Sequence, residues 1–262
     1  MTDTHTHLYM ADAYPGEECA AVERALQAGV HTIMLPNVDT DSIRPLLALR
    51  DKFPDNLYAA MGLHPTEVTK EWQEQLDVIK PYLKAPGVIA LGEIGMDLYH
   101  DQSMCAEQEQ AFRQQICWAR QFHLPVILHQ RAALDITLDI LRQEYSPEIP
   151  GIVFHCFTEG PQSVEKIKSV IPEAFFGIGG VVTFKNAPAL RQALHSIGID
   201  KIVLETDAPW MAPTPHRGTR NESAYIPLIA ERIGQELGLS IEQVESRTDA
   251  NARTLFPGIT ER

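Results

Sequence analysis

The stretch Pro125-Val126-Ile127-Leu128-His129 is a short apolar run that ends in a residue able to bind a metal ion. Uninterrupted apolar runs of this kind are typical of strands that are covered on both faces, as in a parallel sheet. Six other runs have the same form, and with the opening stretch they predict eight strands: 3–7, 30–36, 57–64, 88–93, 125–129, 151–155, 175–180 and 201–205.

Helical patterns fill the segments between these runs. Leu134, Leu138 and Leu141 repeat at the spacing of one buried helix face. Ser240 and Gln243 form a capping box, which predicts where the last helix begins. The runs end near residues 7, 36, 63, 93, 129, 156, 180 and 206, so each unit takes 24 to 36 residues.

One strand with its crossover helix occupies about 30 residues, so eight such units predict a (β/α)8 TIM barrel. We expect it to form a single domain over residues 1–262. A doubly wound open sheet is the alternative, but no glycine-rich phosphate-binding fingerprint follows any of the strands.

The composition is that of an acidic protein. Lys and Arg number 22 and Asp and Glu number 35, which gives a formal net charge of −13. Such a surface does not attract nucleic acid non-specifically, so any nucleic-acid binding must be local. The four cysteines have no CxxC spacing, no apolar run reaches about 18 residues, and no leader-like segment precedes the first motif. We therefore expect a cytoplasmic protein with reduced thiols.

Histidine is concentrated at the ends of the predicted strands. Five of the ten histidines lie there: His5, His7, His64, His129 and His155. In a barrel the carboxyl ends of the strands meet at one rim, where active sites are built. Four others are expected to have no functional role: His31, His100, His123 and His195.

Four of these histidines and two carboxylates predict a metal centre at the rim: His5, His7, Glu93, His129, His155 and Asp207. Residues two apart on a strand project to the same side, so His5 and His7 can bind one ion. A single catalytic ion usually keeps three protein ligands and an open position. Six donors therefore favour two ions about 3.5–4 Å apart.

Glu93 is expected to bridge the two ions, because a carboxylate can give one oxygen to each. His5, His7 and Asp207 would complete one site, and the remaining two histidines the other. A solvent hydroxide between the ions would be the nucleophile, and Asp207 would accept the proton of the water.

The segment after the eighth strand, residues 208–221, is long for a βα loop, and long loops in compact domains are usually functional. An indole can stack on a base, and a guanidinium can bind phosphate oxygens. Expected substrate contacts are Trp210, His216, Arg217 and Arg220 in this loop, with Lys185 and His64 elsewhere on the rim. The alternative is a surface loop braced by its prolines. A solvated lysine is the alternative for Lys185, and a side chain that only braces the rim is the alternative for His64.

Short motifs follow one another in a fixed order along essentially the whole chain: Asp3-Thr4-His5-Thr6-His7, Gly62-Leu63-His64-Pro65, Leu91-Gly92-Glu93-Ile94-Gly95-Met96-Asp97, Pro125-Val126-Ile127-Leu128-His129, His155-Cys156-Phe157-Thr158, Thr183-Phe184-Lys185-Asn186, Glu205-Thr206-Asp207-Ala208-Pro209 and Ala212-Pro213-Thr214-Pro215-His216-Arg217-Gly218. Together they resemble the TatD-like metal-dependent deoxyribonucleases of the amidohydrolase-like superfamily. The chain departs from that family's pattern at its start, where only Met1-Thr2 precede the first motif, and this predicts a short first strand held by its neighbours.

The resemblance implies divalent-metal hydrolysis of phosphodiesters, typically trimming of DNA from a 3′ end, and it assigns the metal role to the same six residues. It implies two divalent ions, with Mg²⁺ or Mn²⁺ for activity, while the imidazole-rich site could also hold Zn²⁺ or Ni²⁺. The expected partner is single-stranded DNA, with no membrane and no obligate protein partner, and the expected state is a monomer.

Two other functions are open. One is hydrolysis of amides, lactones or aminoacyl esters, including D-aminoacyl-tRNA. Many binuclear members of the wider superfamily bridge their metals with a carbamylated lysine at the end of strand four, where this chain has Gly92-Glu93-Ile94. That difference and the basic loop favour phosphate esters. The other is a metal-binding scaffold without turnover, against which a complete ligand set with a proton acceptor argues.

Overall fold

Eight parallel strands follow one another in sequence order around a barrel in the computed structural model, which describes residues 1–260. The strands are β1 (Thr2–Asp3), β2 (Thr32–Pro36), β3 (Leu57–Met61), β4 (Val88–Asp97), β5 (Val126–Arg131), β6 (Ile152–Phe154), β7 (Phe175–Ile178) and β8 (Ile202–Leu204). The N–H of Thr4 donates to the carbonyl of Leu204 over 2.9 Å, and Thr6 forms a parallel bridge with Ala208. These contacts join the chain after β1 to β8, so the predicted TIM barrel is confirmed. The last two residues of the predicted domain, 261 and 262, lie outside the described residues.

Helices alternate with the strands. They are α1 (Glu18–Gln27), α2 (Ile43–Lys52), α3 (Trp72–Ile79), α4 (Cys105–Phe122), α5 (Leu134–Glu144), α6 (Pro161–Val170), α7 (Pro188–Ile197), α8 (Ile226–Leu237) and α9 (Ile241–Leu255). The predicted capping box opens α9, because the Ser240 hydroxyl accepts from the N–H of Gln243 and the Gln243 side chain accepts from that of Ser240. Within residues 1–260, none of the helices has both the length and the apolar character needed to cross a bilayer.

The strand face that carries the predicted ligands also carries a small apolar cluster. Its members on the strands are Met34, Tyr58, Ala60, Ala90, Ile127, Val153, Phe175 and Val203, and Ala252, Leu255 and Phe256 from the end of α9 pack against them. Alternate residues of a strand share a face, so Ile127 points to the same side as His129, and Val153 to the same side as His155. This cluster therefore packs directly behind the candidate site and holds its strands in place.

Strand β4 is longer than predicted and ends at Asp97 rather than Glu93. It stays paired with β5 up to the register pair of Asp97 and Arg131. Gly95 allows this close approach, because it has a φ of +139° and a Cβ there would lie 2.0 Å from the carbonyl oxygen of His129. The extension carries Asp97 to the rim of the barrel.

The opening segment is held by its neighbours, as predicted from its short strand. The N–H of His7 donates to the carbonyl of Ala208 over 2.7 Å, and the N–H of Thr6 donates to that of Met34 over 3.1 Å. The buried carboxylate of Asp3 accepts from the N–H and the hydroxyl of Thr206 over 3.0 and 2.6 Å. Burial raises the pKa of Asp3 to about 6.

Candidate metal centre

The six predicted ligands meet at the carboxyl end of the barrel. His5 and His7 follow β1, Glu93 lies in β4 and His129 in β5. His155 directly follows β6, and Asp207 follows β8. Three groups within this region could each hold a cation with one donor atom per residue: His5, His7 and Glu93; His5, His155 and Asp207; His64, Glu93 and His129.

The two oxygens of Glu93 face different histidines. Oε1 lies 2.6 Å from His155 Nε2 and 2.9 Å from His129 Nδ1. Oε2 lies 3.2 Å from His5 Nε2 and 3.8 Å from His7 Nε2. One carboxylate therefore stands between two sets of imidazole nitrogens, which is the arrangement that a bridging ligand requires.

Asp207 faces the opening pair of histidines. Its Oδ1 lies 3.7 Å from the Nε2 atoms of both His5 and His7. Burial raises the pKa of Asp207 to about 6. The neighbouring Glu205 is fully buried, which raises its pKa well above the usual value, and it accepts the N–H of Cys156.

His64, predicted as a substrate contact, lies against the same cluster. Its Nε2 is 3.2 Å from His129 Nδ1 and 3.4 Å from Glu93 Oε1. The side chain also caps the 3-10 helix Pro65–Glu67, because its Nδ1 accepts from the N–H of Thr66. His64 can therefore contribute a donor to the half of the cluster that contains His129.

The protonation of the cluster fits a divalent cation. Burial lowers the pKa values of His7, His64 and His155, which keeps these imidazoles neutral, the form that binds metals. The Nε2 atoms of His5 and His7 are only 3.1 Å apart. Converging nitrogen lone pairs beside two carboxylates call for a shared cation, and a divalent metal ion matches this donor set.

Tyr9 determines which nitrogen of His7 faces the cluster. Its hydroxyl lies 2.6 Å from the carbonyl of Pro36 and 3.0 Å from His7 Nδ1. Burial raises the pKa of Tyr9 well above 10, so the phenol keeps its proton. A carbonyl can only accept, so the hydroxyl donates to Pro36 and must accept from His7 Nδ1–H. The Nε2 atom is thereby left as the donor to a metal.

Asp97 determines the orientation of the His129 ring, and here Nδ1 is the nitrogen that faces the cluster. Its Oδ2 lies 2.9 Å from His129 Nε2, which turns Nδ1 towards Glu93. Burial by itself would lower the pKa of His129, but hydrogen bonds to Asp97 and Glu93 raise it to about 9. A cation at Nδ1 would take the place of that proton. The role of Asp97 was not predicted, although it ends the same motif as Glu93.

His100, which was expected to have no functional role, lies at the edge of the candidate site. Its Nδ1 lies 3.0 Å from Asp97 Oδ2, and it lines the cavity above the candidate ligands. The extension of β4 is the reason, because it brings the turn after Asp97 to the rim.

A cavity of about 700 Å³ opens above the cluster. Trp210 lines it, is 49% exposed and stands edge-to-face with His7 at 5.3 Å between ring centroids. His64 also lines it, so two of the predicted substrate contacts lie at the cavity.

The other four predicted substrate contacts are not among the described residues that line this cavity: Lys185, His216, Arg217 and Arg220. His216 stacks on Tyr225 at 4.1 Å, and the guanidinium of Arg217 lies over the ring of Phe184. Arg220 donates to Glu17 and Glu222 over 2.7 and 3.0 Å. Arg220 is therefore already paired with two acids of the protein, and the sequence alone could not show this pairing.

A family model described as "TatD related DNase" matches residues 2–257. The uncharacterized metal-dependent hydrolase YabD of Bacillus subtilis is 34% identical over 254 residues, covering 97% of this chain and 98% of that protein. The 3′-5′ ssDNA/RNA exonuclease TatD of Salmonella typhimurium is 34% identical over 240 residues, covering 90% and 91%. The crystal structure of YJJV, a TatD homologue from Escherichia coli K12, has a TM-score of 0.90 at 29% identity and covers 98% of each chain.

The barrel, the histidine and carboxylate cluster at its mouth and these relatives define a metal-dependent hydrolase. The chain belongs to the TatD-related DNase family, as its motifs predicted.

Proposed function

We propose that this protein is a phosphodiesterase that trims single-stranded DNA from its 3′ end with the help of two divalent ions. The observation that carries the proposal is Glu93, whose two oxygens each face a different set of imidazole nitrogens within 3.8 Å. The relative from Salmonella typhimurium, named as a 3′-5′ ssDNA/RNA exonuclease, supports this choice of substrate.

The proposed ligands divide between the two oxygens of Glu93. His5, His7 and Asp207 would hold one ion, and His129 and His155 the other. When bound, the ions would polarise a phosphoryl oxygen and lower the pKa of solvent water. Mg²⁺ or Mn²⁺ is proposed for activity, while Zn²⁺ or Ni²⁺ suits the imidazole nitrogens.

Asp207 is the proposed proton acceptor. Its Oδ1 lies 3.7 Å from the Nε2 atoms of His5 and His7, so the carboxylate stands beside the place where an activated water would be held. Trp210 would stack on a base at the cavity, and His64 would contact the substrate or the ion beside His129. The remaining candidate contacts, in the loop after β8 and after β7, would meet the strand farther out: Lys185, His216, Arg217 and Arg220.

We further propose a monomeric, single-domain enzyme of the cytoplasm. All four cysteines are free, which suits a reducing compartment. Size-exclusion chromatography with light scattering tests the monomer, and fractionation of cells that express the chain from its own gene tests the compartment.

The test uses single-stranded DNA labelled at its 5′ end, with Mg²⁺ or Mn²⁺ and with or without chelator. We expect progressive shortening from the 3′ end that stops on chelation and in Asp207→Asn. Asp200→Asn is the matched control. Asp200 precedes β8, so it lies at the end of that strand opposite to Asp207, and its exposed carboxylate pairs with Arg247. Turnover of amide or lactone substrates alone would refute the proposal, as would shortening that persists in Asp207→Asn.

A further inference from the structure

A guanidinium and a phenol ring stack at the rim where β4 and β5 end. Arg131 is the last residue of β5, two positions beyond His129, and Tyr99 lies two positions beyond the end of β4. The Arg131 Cζ atom is 4.0 Å from the centroid of the Tyr99 ring. Such a stack holds a guanidinium in place while its N–H edge stays available.

The position of this pair is tied to the candidate metal centre. Asp97 Oδ1 accepts the N–H of Tyr99 over 3.0 Å, while its Oδ2 holds His129. The N–H of Leu98 donates to the carbonyl of Arg131 over 3.0 Å. One buried carboxylate therefore sets both the orientation of His129 and the turn that carries Tyr99.

Arg131 forms no ion pair with an acid in the described part of the chain, and its guanidinium lies against the Tyr99 ring. Among residues 1–260, no carboxylate lies within 4.0 Å of its guanidinium, whereas Arg24, Arg113 and Arg220 each pair with acids. It is also the one Lys or Arg among the described residues that line the cavity. A lone cation in the wall of a cavity, on a chain with a net charge of −13, marks a place for an anion.

Two exposed rings follow strands on opposite sides of the barrel: Trp210 lines the cavity, and Tyr99 stacks on Arg131, which also lines it. Tyr99, 64% exposed, follows β4, whereas Trp210 follows β8. In a closed barrel of eight strands in sequence order, β4 and β8 lie on opposite sides. The cluster around Glu93 lies between them, so a strand that reaches from one ring to the other passes over the candidate metal centre.

We infer that Tyr99 and Arg131 form a second nucleotide subsite, in which Arg131 binds a backbone phosphate and Tyr99 stacks on a base. The subsite rests on the proposed function, since it supplies the grip on the part of the strand that stays bound next to the end being trimmed. Base–aromatic stacking tolerates any sequence, so the subsite binds single-stranded nucleic acid without a sequence preference.

The test measures binding apart from turnover. The metal-loaded protein is added to a labelled oligothymidylate of about 12 nucleotides, and fluorescence anisotropy reports binding. Phosphorothioate linkages at the 3′ end of the oligothymidylate block trimming. Arg131→Gln should weaken binding and reduce the slope of log K against log salt by about 0.7, the value for one phosphate contact on a single strand. Arg142→Gln is the matched control, because that arginine on α5 is exposed and pairs with Asp139.

Tyr99→Leu tests the proposed stacking of Tyr99 on a base. It should weaken binding of the oligothymidylate by about five-fold or more. Binding of the same backbone made of abasic sugars should weaken less, because that strand loses only the support that the ring gives to Arg131. Equal weakening of both strands would refute the stacking role of Tyr99.

Turnover separates this subsite from the proposed function. Bis(p-nitrophenyl) phosphate has no second nucleotide, so its hydrolysis by the wild type tests the phosphodiesterase without the subsite. If that diester is hydrolysed but Arg131→Gln binds the strand as tightly as wild type, the subsite is refuted and the phosphodiesterase stands. If the wild type binds the strand through Arg131 but hydrolyses neither DNA nor the diester, the proposed function is refuted and the subsite stands. A wild type that binds no oligonucleotide refutes the subsite.

Discussion

Replacing Tyr9 by Phe should weaken metal binding, although Tyr9 would not itself touch the metal. The substitution removes only the hydroxyl that accepts from His7 Nδ1–H and donates to the Pro36 carbonyl. His7 would then be free to adopt the other tautomer, in which the proton sits on Nε2, the nitrogen that faces the cluster.

The expected effect has two parts. Each buried polar group left without a partner costs about 1–3 kcal/mol, so the free energy of unfolding should fall by about 2–6 kcal/mol for the two groups. Loss of a group that orients a metal-binding histidine typically costs 10- to 100-fold in affinity, or about 1.4–2.8 kcal/mol. The loss of affinity should appear at temperatures where the variant is fully folded.

Competition with a chelator measures the affinity for Mn²⁺, and urea unfolding measures the stability. Tyr58→Phe is the matched control. Tyr58 belongs to the apolar cluster behind the site, and its hydroxyl forms a hydrogen bond with Thr260 and not with a candidate ligand. Unchanged affinity for Mn²⁺ in folded Tyr9→Phe would refute the reasoning about the tautomer. So would an equal loss of affinity in Tyr58→Phe.

Three further outcomes follow from the structure. His5→Ala should lose about one equivalent of metal, from the site that it would share with His7 and Asp207, and full occupancy by mass spectrometry of the metal content would contradict this assignment. Gly95→Ala should lower the free energy of unfolding by about 2–4 kcal/mol in urea, because its Cβ would collide with the His129 carbonyl at a positive φ; wild-type stability would contradict that close approach. Glu222→Gln should lower the free energy of unfolding by about 1–3 kcal/mol at neutral pH, since Arg24 donates to that carboxylate over 2.7 and 2.8 Å. Burial by itself would raise the pKa of Glu222, but its hydrogen bonds with Arg24 and Arg220 lower it, so the difference from wild type should be complete above the ordinary value of 4.5 and should vanish as the pH falls through the lowered pKa. A difference that grows in acid would contradict the sign.

Much of the barrel and of the candidate metal centre could be predicted from local patterns. An apolar run followed by a histidine or a carboxylate defines both a buried strand and the side chain at its end, as at His129 and His155. Parallel strands bring such ends to one rim whatever the loops contain. The six candidate ligands could therefore be named without knowing how far apart any two of them lie.

Only the tertiary structure decided what stands behind and around those ligands. The pairing of Tyr9 with His7 depends on the position of Pro36 on the next strand, and the role of Asp97 depends on a β4 that runs four residues past Glu93. Arg220 forms ion pairs with Glu222 and with Glu17, which is 203 positions away. Hydrogen bonds and ion pairs of this kind depend on strand register and side-chain orientation. A local sequence pattern can place a residue on a face, but packing of the whole barrel selects its partner.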